Sequence, residues 1–205
     1  MHGHEADHGS ELSDVQLRVR ALEQVLTEKG YLDPAALDQI VEAYETRIGP
    51  HIGAGIVAKA WADPPFGRAL LADATRAIRD LGHDLTRTGH LTAVANDGSV
   101  HNLVVCTLCS CYPNDILGLP PVWYKSAPYR SRAVKEPRRV LRELGVDLPL
   151  EVGVRVWDST SEMRYLVVPR RPAGTDGWSE DRLAGLVTRD SMIGAGLALQ
   201  PADVA

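Results

Sequence analysis

The residues of this chain best suited to chemistry are its three cysteines, which all lie within one short segment. Cys106, Cys109 and Cys111 stand in the run Cys-Thr-Leu-Cys-Ser-Cys, and no other cysteine occurs among the 205 residues. Thiolates are preferred ligands of several transition metals, so three of them at this spacing predict one metal site. An odd number of cysteines fits a disulfide framework poorly.

This cysteine segment lacks the ligands of the common structural metal sites. A structural zinc site takes four ligands, and iron–sulfur clusters usually take four cysteines. His101 supplies a fourth ligand only if the strand before the segment bends back. A thioredoxin-like redox pair is disfavoured by the third cysteine and by the absence of a βαβ pattern. The backbone amides of Ser110 and Cys111 offer further donors to a strongly Lewis-acidic trivalent ion, leaving one position open for catalysis.

Composition and charge exclude several classes of protein. The chain is 44% hydrophobic and 24% charged, which is typical of a soluble globular protein. Its net charge of −5 argues against non-specific nucleic-acid binding. No stretch approaches the roughly 20 apolar residues of a membrane span, so neither a nucleic acid nor a membrane is expected as a partner. We expect a cytoplasmic protein, in which thiols stay reduced.

The elements that position the cysteines fall into three predicted parts. Residues 1–12 predict a flexible, histidine-containing terminus. Residues 13–49 predict two helices, ending near Lys29 and Arg47, with narrow apolar stripes typical of an arm that wraps a partner subunit. Residues 50–205 predict the metal-binding catalytic domain.

Within this domain, helical patterns are segregated around a strand-rich middle. Asn96-Asp97-Gly98 predicts a hairpin turn between two adjacent strands. A second pair of strands is predicted later in the chain, and helices flank both pairs. The predicted strands are 91–95, 100–105, 152–157 and 164–168, and the predicted helices are 52–62, 63–81, 129–144 and 179–189. The pattern indicates an α+β fold, a layered domain of strands flanked by helices, with the cysteine segment at the end of a central strand.

Several longer motifs accompany the cysteines and resemble one enzyme family. VCTLCSCYP at 105–113 is similar to the metal-binding loop of nitrile hydratase α subunits. The resemblance continues over nearly the whole chain. Its motifs are LGLPPVWYK at 117–125, YRSRAV at 129–134, VWDSTSEMRY at 156–165 and RPAGTDGWSE at 171–180.

The resemblance implies a metal centre of a defined type. Non-corrinoid Co(III) would be held by the sulfurs of Cys106, Cys109 and Cys111 and by the amide nitrogens of Ser110 and Cys111. Thr107 is the variant associated with cobalt, so cobalt is favoured over Fe(III). The resemblance also implies oxidation of Cys109 to a sulfinic acid and of Cys111 to a sulfenic acid, both known steps of cysteine oxidation.

The implied reaction is the hydration of a small-molecule nitrile to an amide. The Cys111 sulfenate or an activated water would attack the nitrile carbon, and Ser110 would hydrogen-bond near the attacking oxygen. Asp158, Glu162 and Arg164 match a family segment that supports the site from outside. A β subunit would contribute arginines to the oxidised sulfurs, and an accessory protein would deliver cobalt.

Two positions depart from the family pattern. Asn114 stands where the family commonly has a pocket-forming Trp, and Arg87 falls where it often has Gln. Both changes predict an enlarged or polar pocket, suited to a bulky heteroaromatic or nucleoside-type nitrile, with a β partner in one chain or split into two. The alternatives are a thiocyanate hydrolase subunit, related to its γ chain, an ordinary broad-range nitrile hydratase, and a non-enzymatic metal-binding protein.

Overall fold

The computed structural model describes residues 14–42 and 48–204. The chain divides into two units, Met1–Arg47 and Ile48–Ala205. The predicted flexible terminus at residues 1–12 lies outside the described residues, as does the predicted end of the second helix at 43–47. Among the described helices, none combines the length and apolar character needed to span a bilayer.

The first unit contains two helices, α1 (Asp14–Glu28) and α2 (Pro34–Glu42). Helix α1 is followed by Gly30, whose φ of 70° turns the chain. The Asp33 carboxylate accepts a hydrogen bond from Ala35 N, 3.0 Å away, and begins α2. The apolar stripe of α1 is exposed.

The second unit mixes helices and strands. Four strands provide its centre, namely β1 (His90–Ala95), β2 (Val100–Val105), β3 (Gly153–Asp158) and β4 (Met163–Val168). The helices are α3 (Pro50–Ala62), α4 (Pro64–Ala72), α5 (Ala74–Asp80), α6 (Asn114–Leu117), α7 (Val122–Lys125), α8 (Ala127–Lys135), α9 (Pro137–Glu143), α10 (Glu180–Ala184) and α11 (Arg189–Ile193). The predicted α+β class is confirmed.

The strand partners differ from the prediction. β1 pairs with β4 and β2 pairs with β3, both in parallel. The predicted hairpin between β1 and β2 and the predicted pairing of β3 with β4 are therefore wrong. A tight turn does follow β1, since Asp97 N donates to Val100 O at 3.0 Å. After this turn, Asn102 Nδ2 donates to Ala95 O at 2.7 Å, so the last carbonyl of β1 accepts a hydrogen bond from a side chain of β2.

Three predicted helices are interrupted: the one at 129–144 divides into α8 and α9, and the other two divide at capping residues. Asp73 separates α4 from α5, because its carboxylate accepts a hydrogen bond from Arg76 N at 2.9 Å and starts a new helix. The predicted final helix is likewise divided, and Thr188 caps α11 through Ser191 N. The short helices pack on the strand pairs instead of forming long rods.

The core surrounds the end of β2, from which the cysteine segment leaves. Leu103, Val104 and Val105 are buried, and α8 packs on this strand. The buried Tyr129 of α8 donates its hydroxyl to Val104 O at 2.7 Å. This contact attaches α8 to β2 one residue before the strand ends. Arg130, which follows Tyr129, therefore lies near the segment that follows β2.

Candidate metal centre

The three cysteine sulfurs converge although they lie in an irregular loop, residues 106–111, called here the cysteine loop. Cys106 is buried, Cys111 is half-buried and Cys109 is exposed. The Sγ atoms of Cys106 and Cys109 are 3.5 Å apart, and those of Cys109 and Cys111 are 3.2 Å apart. All three sulfurs lie within 4.8 Å of one another. The loop therefore brings the predicted ligands to one point.

The spacing of the sulfurs can be compared with the ligand angles of common metal geometries. With metal–sulfur bonds of about 2.3 Å, two sulfurs at a right angle lie about 3.3 Å apart, and two at the tetrahedral angle about 3.8 Å. The amides of Ser110 and Cys111 hydrogen-bond to the Cys109 sulfur, so both predicted nitrogen donors lie beside the sulfurs. The 3.2 Å distance matches a right angle and the 3.5 Å distance lies between the two values, so three sulfurs with two amide nitrogens are compatible with an octahedral trivalent ion.

His101 lies at the other end of β2 and is not near the cysteine loop. Its Nε2 donates to Gly194 O at 2.7 Å, and its Nδ1 is 3.3 Å from Asn96 Nδ2. Both ring nitrogens therefore have partners within the fold, and the strand does not bend back. The idea of His101 as a fourth ligand is wrong.

The thiols differ in acidity because of their mutual contacts. Hydrogen bonds from Cys111 and then Cys106 lower the pKa of Cys109 to about 7. Partial burial and its hydrogen bond to Cys109 raise the pKa of Cys111. The Cys109 thiol is therefore the more acidic of the two.

Asp158, at the end of β3, holds the first part of the cysteine loop. Its carboxylate accepts Thr107 N at 2.9 Å and Thr107 Oγ1 at 2.6 Å. The parallel pairing places Asp158 opposite Val105, directly before the loop. This register explains why a residue 51 positions away reaches the loop.

The other two predicted supporting residues occupy different surroundings. Arg164 donates to the carbonyls of Thr160 at 2.6 Å and Ser161 at 2.5 Å. Its guanidinium also lies near enough to Cys111 to oppose the rise in that thiol's pKa. Glu162 is exposed, and its backbone carbonyl accepts His90 N at 3.2 Å. Arg164 therefore acts on Cys111 through its charge, whereas the observed contact of Glu162 is structural.

Two residues without a predicted role contact loop carbonyls. Arg130 Nη1 donates to Leu108 O at 3.0 Å, and Tyr124 OH donates to Cys111 O at 2.9 Å. Both residues lie in motifs that carry the family resemblance, at 117–125 and 129–134. Their types alone did not indicate a role, because only the packing of α7 and α8 brings them to the loop.

Arg87 is linked to the segment that contains Asn114, because it pairs with Asp115, the next residue in the sequence. Asp115, which is buried, accepts Arg87 Nε at 3.1 Å and the backbone amide of Thr88 at 2.8 Å. Arg87 is half-exposed, and Oδ1 of Asn114 is buried without a hydrogen-bond partner among the described residues. Arg87 therefore pairs with the residue that follows Asn114 in the sequence.

A separate cavity of about 660 Å³ lies away from the cysteines. Its lining includes Asn96 from the turn before β2, His101 from the start of β2, and Leu148 and Arg170 from neighbouring loops. It therefore belongs to the opposite end of the strand.

Ser110 is half-buried on the cysteine loop.

Comparisons with known proteins agree on one family. The family model described as nitrile hydratase, alpha chain matches residues 13–196. The high-molecular weight cobalt-containing nitrile hydratase subunit alpha of Rhodococcus rhodochrous is 53% identical over 97% of this chain and 98% of its own length. Thiocyanate hydrolase subunit gamma of Thiobacillus thioparus is 43% identical over 90% of this chain and 80% of its own.

Solved structures give the same result. A double mutant of the Fe-type nitrile hydratase from Comamonas testosteroni Ni1 has a TM-score of 0.81 and 38% identity. The match covers 93% of this chain and 94% of that one. The described fold is thus shared along nearly the full length of both chains.

Proposed function

The chain belongs to the nitrile hydratase α-chain family, and we propose that it is the metal-bearing subunit of a cobalt nitrile hydratase. The observation that carries this proposal is the convergence of three sulfurs at 3.2 and 3.5 Å, beside two backbone amides. The reaction adds one water across a carbon–nitrogen triple bond and yields the amide.

Cobalt is the proposed ion, held by Cys106, Cys109 and Cys111 and by the amide nitrogens of Ser110 and Cys111. Cobalt-containing relatives at 53% identity favour it over iron, although an Fe-type enzyme shares the fold. When bound, the trivalent ion supplies Lewis acidity to the nitrile.

Oxidation of two cysteines by an external oxidant, dioxygen or a peroxide, completes the proposed site, with Cys109 as sulfinic acid after loss of four electrons and Cys111 as sulfenic acid after loss of two. Oxidation is selective for exposed sulfurs with thiolate character. Cys109 has both properties, since it is exposed and its pKa is lowered to about 7. Cys106 is buried and stays a plain thiolate in this proposal.

The chain's own groups then supply the attack. The Cys111 oxygen attacks the nitrile carbon, or removes a proton from the water that attacks it. The Ser110 hydroxyl donates a hydrogen bond to the attacking oxygen. Arg164 lies near Cys111, where its positive charge stabilises the sulfenate anion.

The substrate proposed is bulkier or more polar than a small aliphatic nitrile, with a cyano-heteroaromatic group as the type. Asn114 is smaller than the Trp common in the family and offers an amide for hydrogen bonding. Arg87 adds a half-exposed cation anchored by Asp115 at 3.1 Å. In this proposal both side chains line the substrate pocket on the side of the cysteine loop that follows Cys111.

The proposed partner is a β subunit, in one chain or two, which contributes arginines to the oxidised sulfurs. The names of the relatives describe subunits of larger enzymes. The exposed apolar stripe of α1 gives this partner a surface to cover, as expected for an arm at residues 13–49. A cobalt-delivering accessory protein is part of the same proposal.

The decisive experiment is metal analysis with mass spectrometry of the loop peptide, on the complex co-expressed with its partner in cobalt medium. We expect cobalt, two added oxygens on Cys109 and one on Cys111. Cys111→Ala should fold and abolish turnover. Zinc or no metal, with three unmodified thiols in the assembled complex, would instead establish a structural metal loop.

Thiocyanate hydrolysis is the second candidate activity. The related γ subunit is 43% identical, and Arg87 places a cation where an anion could be attracted. The same complex should be assayed with thiocyanate and with a panel of nitriles. Consumption of thiocyanate without amide formation from any nitrile would replace the hydratase proposal.

A further inference from the structure

The cysteine loop contains a two-residue bridge, Thr107-Leu108, between its first two sulfurs. Leu108 is 83% exposed, so burial of its side chain does little to hold the bridge. The distance between the Cys106 and Cys109 sulfurs depends on the backbone of these two residues. Polar contacts must therefore hold it.

Those contacts reach the bridge from two sides. Asp158 accepts the N–H of Thr107 at 2.9 Å. On the other side, Arg130 Nη1 donates to the carbonyl of Leu108 at 3.0 Å and to that of Thr107 at 3.4 Å. Each of these bonds joins a charged side chain, Asp158 or Arg130, to a backbone group, and such bonds are stronger than those between two neutral groups.

Arg130 is itself placed by rigid neighbours. Ser126 caps α8 through Tyr129 N, and the Tyr129 hydroxyl donates to Val104 O at 2.7 Å. Arg130 is therefore one residue from a buried anchor, and the residue itself is half-buried against the loop. A positioning residue needs this kind of support.

We propose that Arg130 is a positioning residue that holds the Thr107-Leu108 bridge and thereby slows the loss of metal from the cysteine loop. The proposal rests on the proposed function in one respect, namely that the loop binds cobalt. Arg130 touches neither the sulfurs nor the substrate in this role, and it acts through the two carbonyls alone.

The test uses the complex with its partner subunit, loaded with cobalt and isolated intact by size exclusion. Arg130→Gln removes the charge and most donors, and Arg130→Lys keeps the charge and can restore one contact. Lys135→Gln is the matched control. Lys135 is exposed on α8, the helix that carries Arg130, and both residues line one surface groove beside Thr107. Among the described residues, Lys135 donates to no carbonyl of the loop.

Cobalt release to an excess of chelator and the sulfur-to-cobalt absorption band are followed, with a melting curve for each variant. We expect R130Q to release cobalt on the order of tenfold faster, with a shifted band, R130K to be intermediate and K135Q to match the wild type. Release and absorption unchanged in R130Q would overturn the proposal, as would equal effects in K135Q. A wild-type complex without cobalt would contradict the proposed function itself, which separates the two failures.

Discussion

At the scale of single residues, the cysteine loop shows how side chains far apart in sequence define one backbone conformation. Asp158 binds the N–H and hydroxyl of Thr107, and Tyr124 binds the carbonyl of Cys111. A metal site built from a loop needs such support, because the ligands' geometry has to be held before the ion arrives.

The pocket prediction belongs to this scale and concerns Asn114. Asn114→Trp should fill the proposed space beyond Cys111. We expect the ratio of kcat/KM for a cyano-heteroaromatic nitrile over that for a small aliphatic nitrile to fall about tenfold. Steady-state kinetics of both substrates on the cobalt-loaded complex would measure it. A ratio that does not change would show that Asn114 does not line the substrate pocket.

A pH prediction concerns His101, whose pKa burial lowers from 6.5. Its Nε2 donates to Gly194 O, so its Nδ1 accepts from Asn96, and a second ring proton would have no acceptor there. The unfolded chain therefore takes up a proton below pH 6.5 while the folded protein resists it. The free energy of unfolding should fall as the pH drops through 6.5 towards the lowered pKa.

Urea unfolding at about pH 7.5 and about pH 5.5 would measure this fall. His83, whose pKa is also lowered by burial, contributes in the same direction. The comparison is therefore with His101→Gln, which keeps a donor for Gly194 O and should show a smaller fall. Equal falls in both proteins would show that His101 does not carry the effect.

At the scale of elements, the start of β2 is locked against the end of α11. Gly194 has a φ of 80°, and a Cβ at this position would lie 1.8 Å from Asn102 O. Asn102 also binds Trp157 Nε1 at 2.8 Å, which connects β2 with β3. The close approach of the glycine therefore allows the helix end and two strands to meet.

Gly194→Ala should destabilise the fold by about 3 kcal/mol or more, because backbone strain and a backbone clash add. Gly174→Ala is the matched control, since Gly174 has a φ of 76° and a Cβ added there would meet nothing within 4 Å. It should cost only about 1 to 2 kcal/mol from its φ alone. Denaturant unfolding of both variants measures the difference, and equal costs would contradict the role of close packing at Gly194.

At the scale of the whole molecule, the first unit offers an apolar surface of its own. Val15, Val19 and Leu22 of α1 are 69%, 58% and 60% exposed. They lie on one helical face because their spacing follows the helical period. The exposed stripe is the feature that most directly supports assembly with another chain.

Changing this stripe should weaken the complex without altering the second unit. We expect Val19→Asp combined with Leu22→Asp to reduce co-purification of the partner by at least about tenfold, because the stripe would no longer be apolar. Gln24→Asp, on the opposite face of α1, is the control. Size exclusion with subunit quantification measures the outcome, and normal assembly of the double variant would remove α1 from the interface.

The sequence by itself identified the candidate metal loop, because ligand chemistry depends on residue type and short spacing. Cys106, Cys109 and Cys111 were recognisable for this reason, and the family motifs indicated Asp158 and Arg164 as well. Most helix and strand positions also followed from local periodicity and capping. Strand partners were predicted wrongly, since a turn signal at Asn96-Asp97-Gly98 describes only local geometry.

Only the tertiary structure decided which distant residues meet. The parallel pairing of β2 with β3 brings Asp158 to Thr107, and the docking of α8 brings Arg130 to Leu108. Asp115 joins Arg87 to the helix that follows the loop, and the carbonyl of Gly194 binds His101. These contacts depend on packing between elements far apart in the chain, and that packing leaves no pattern within a short stretch of sequence.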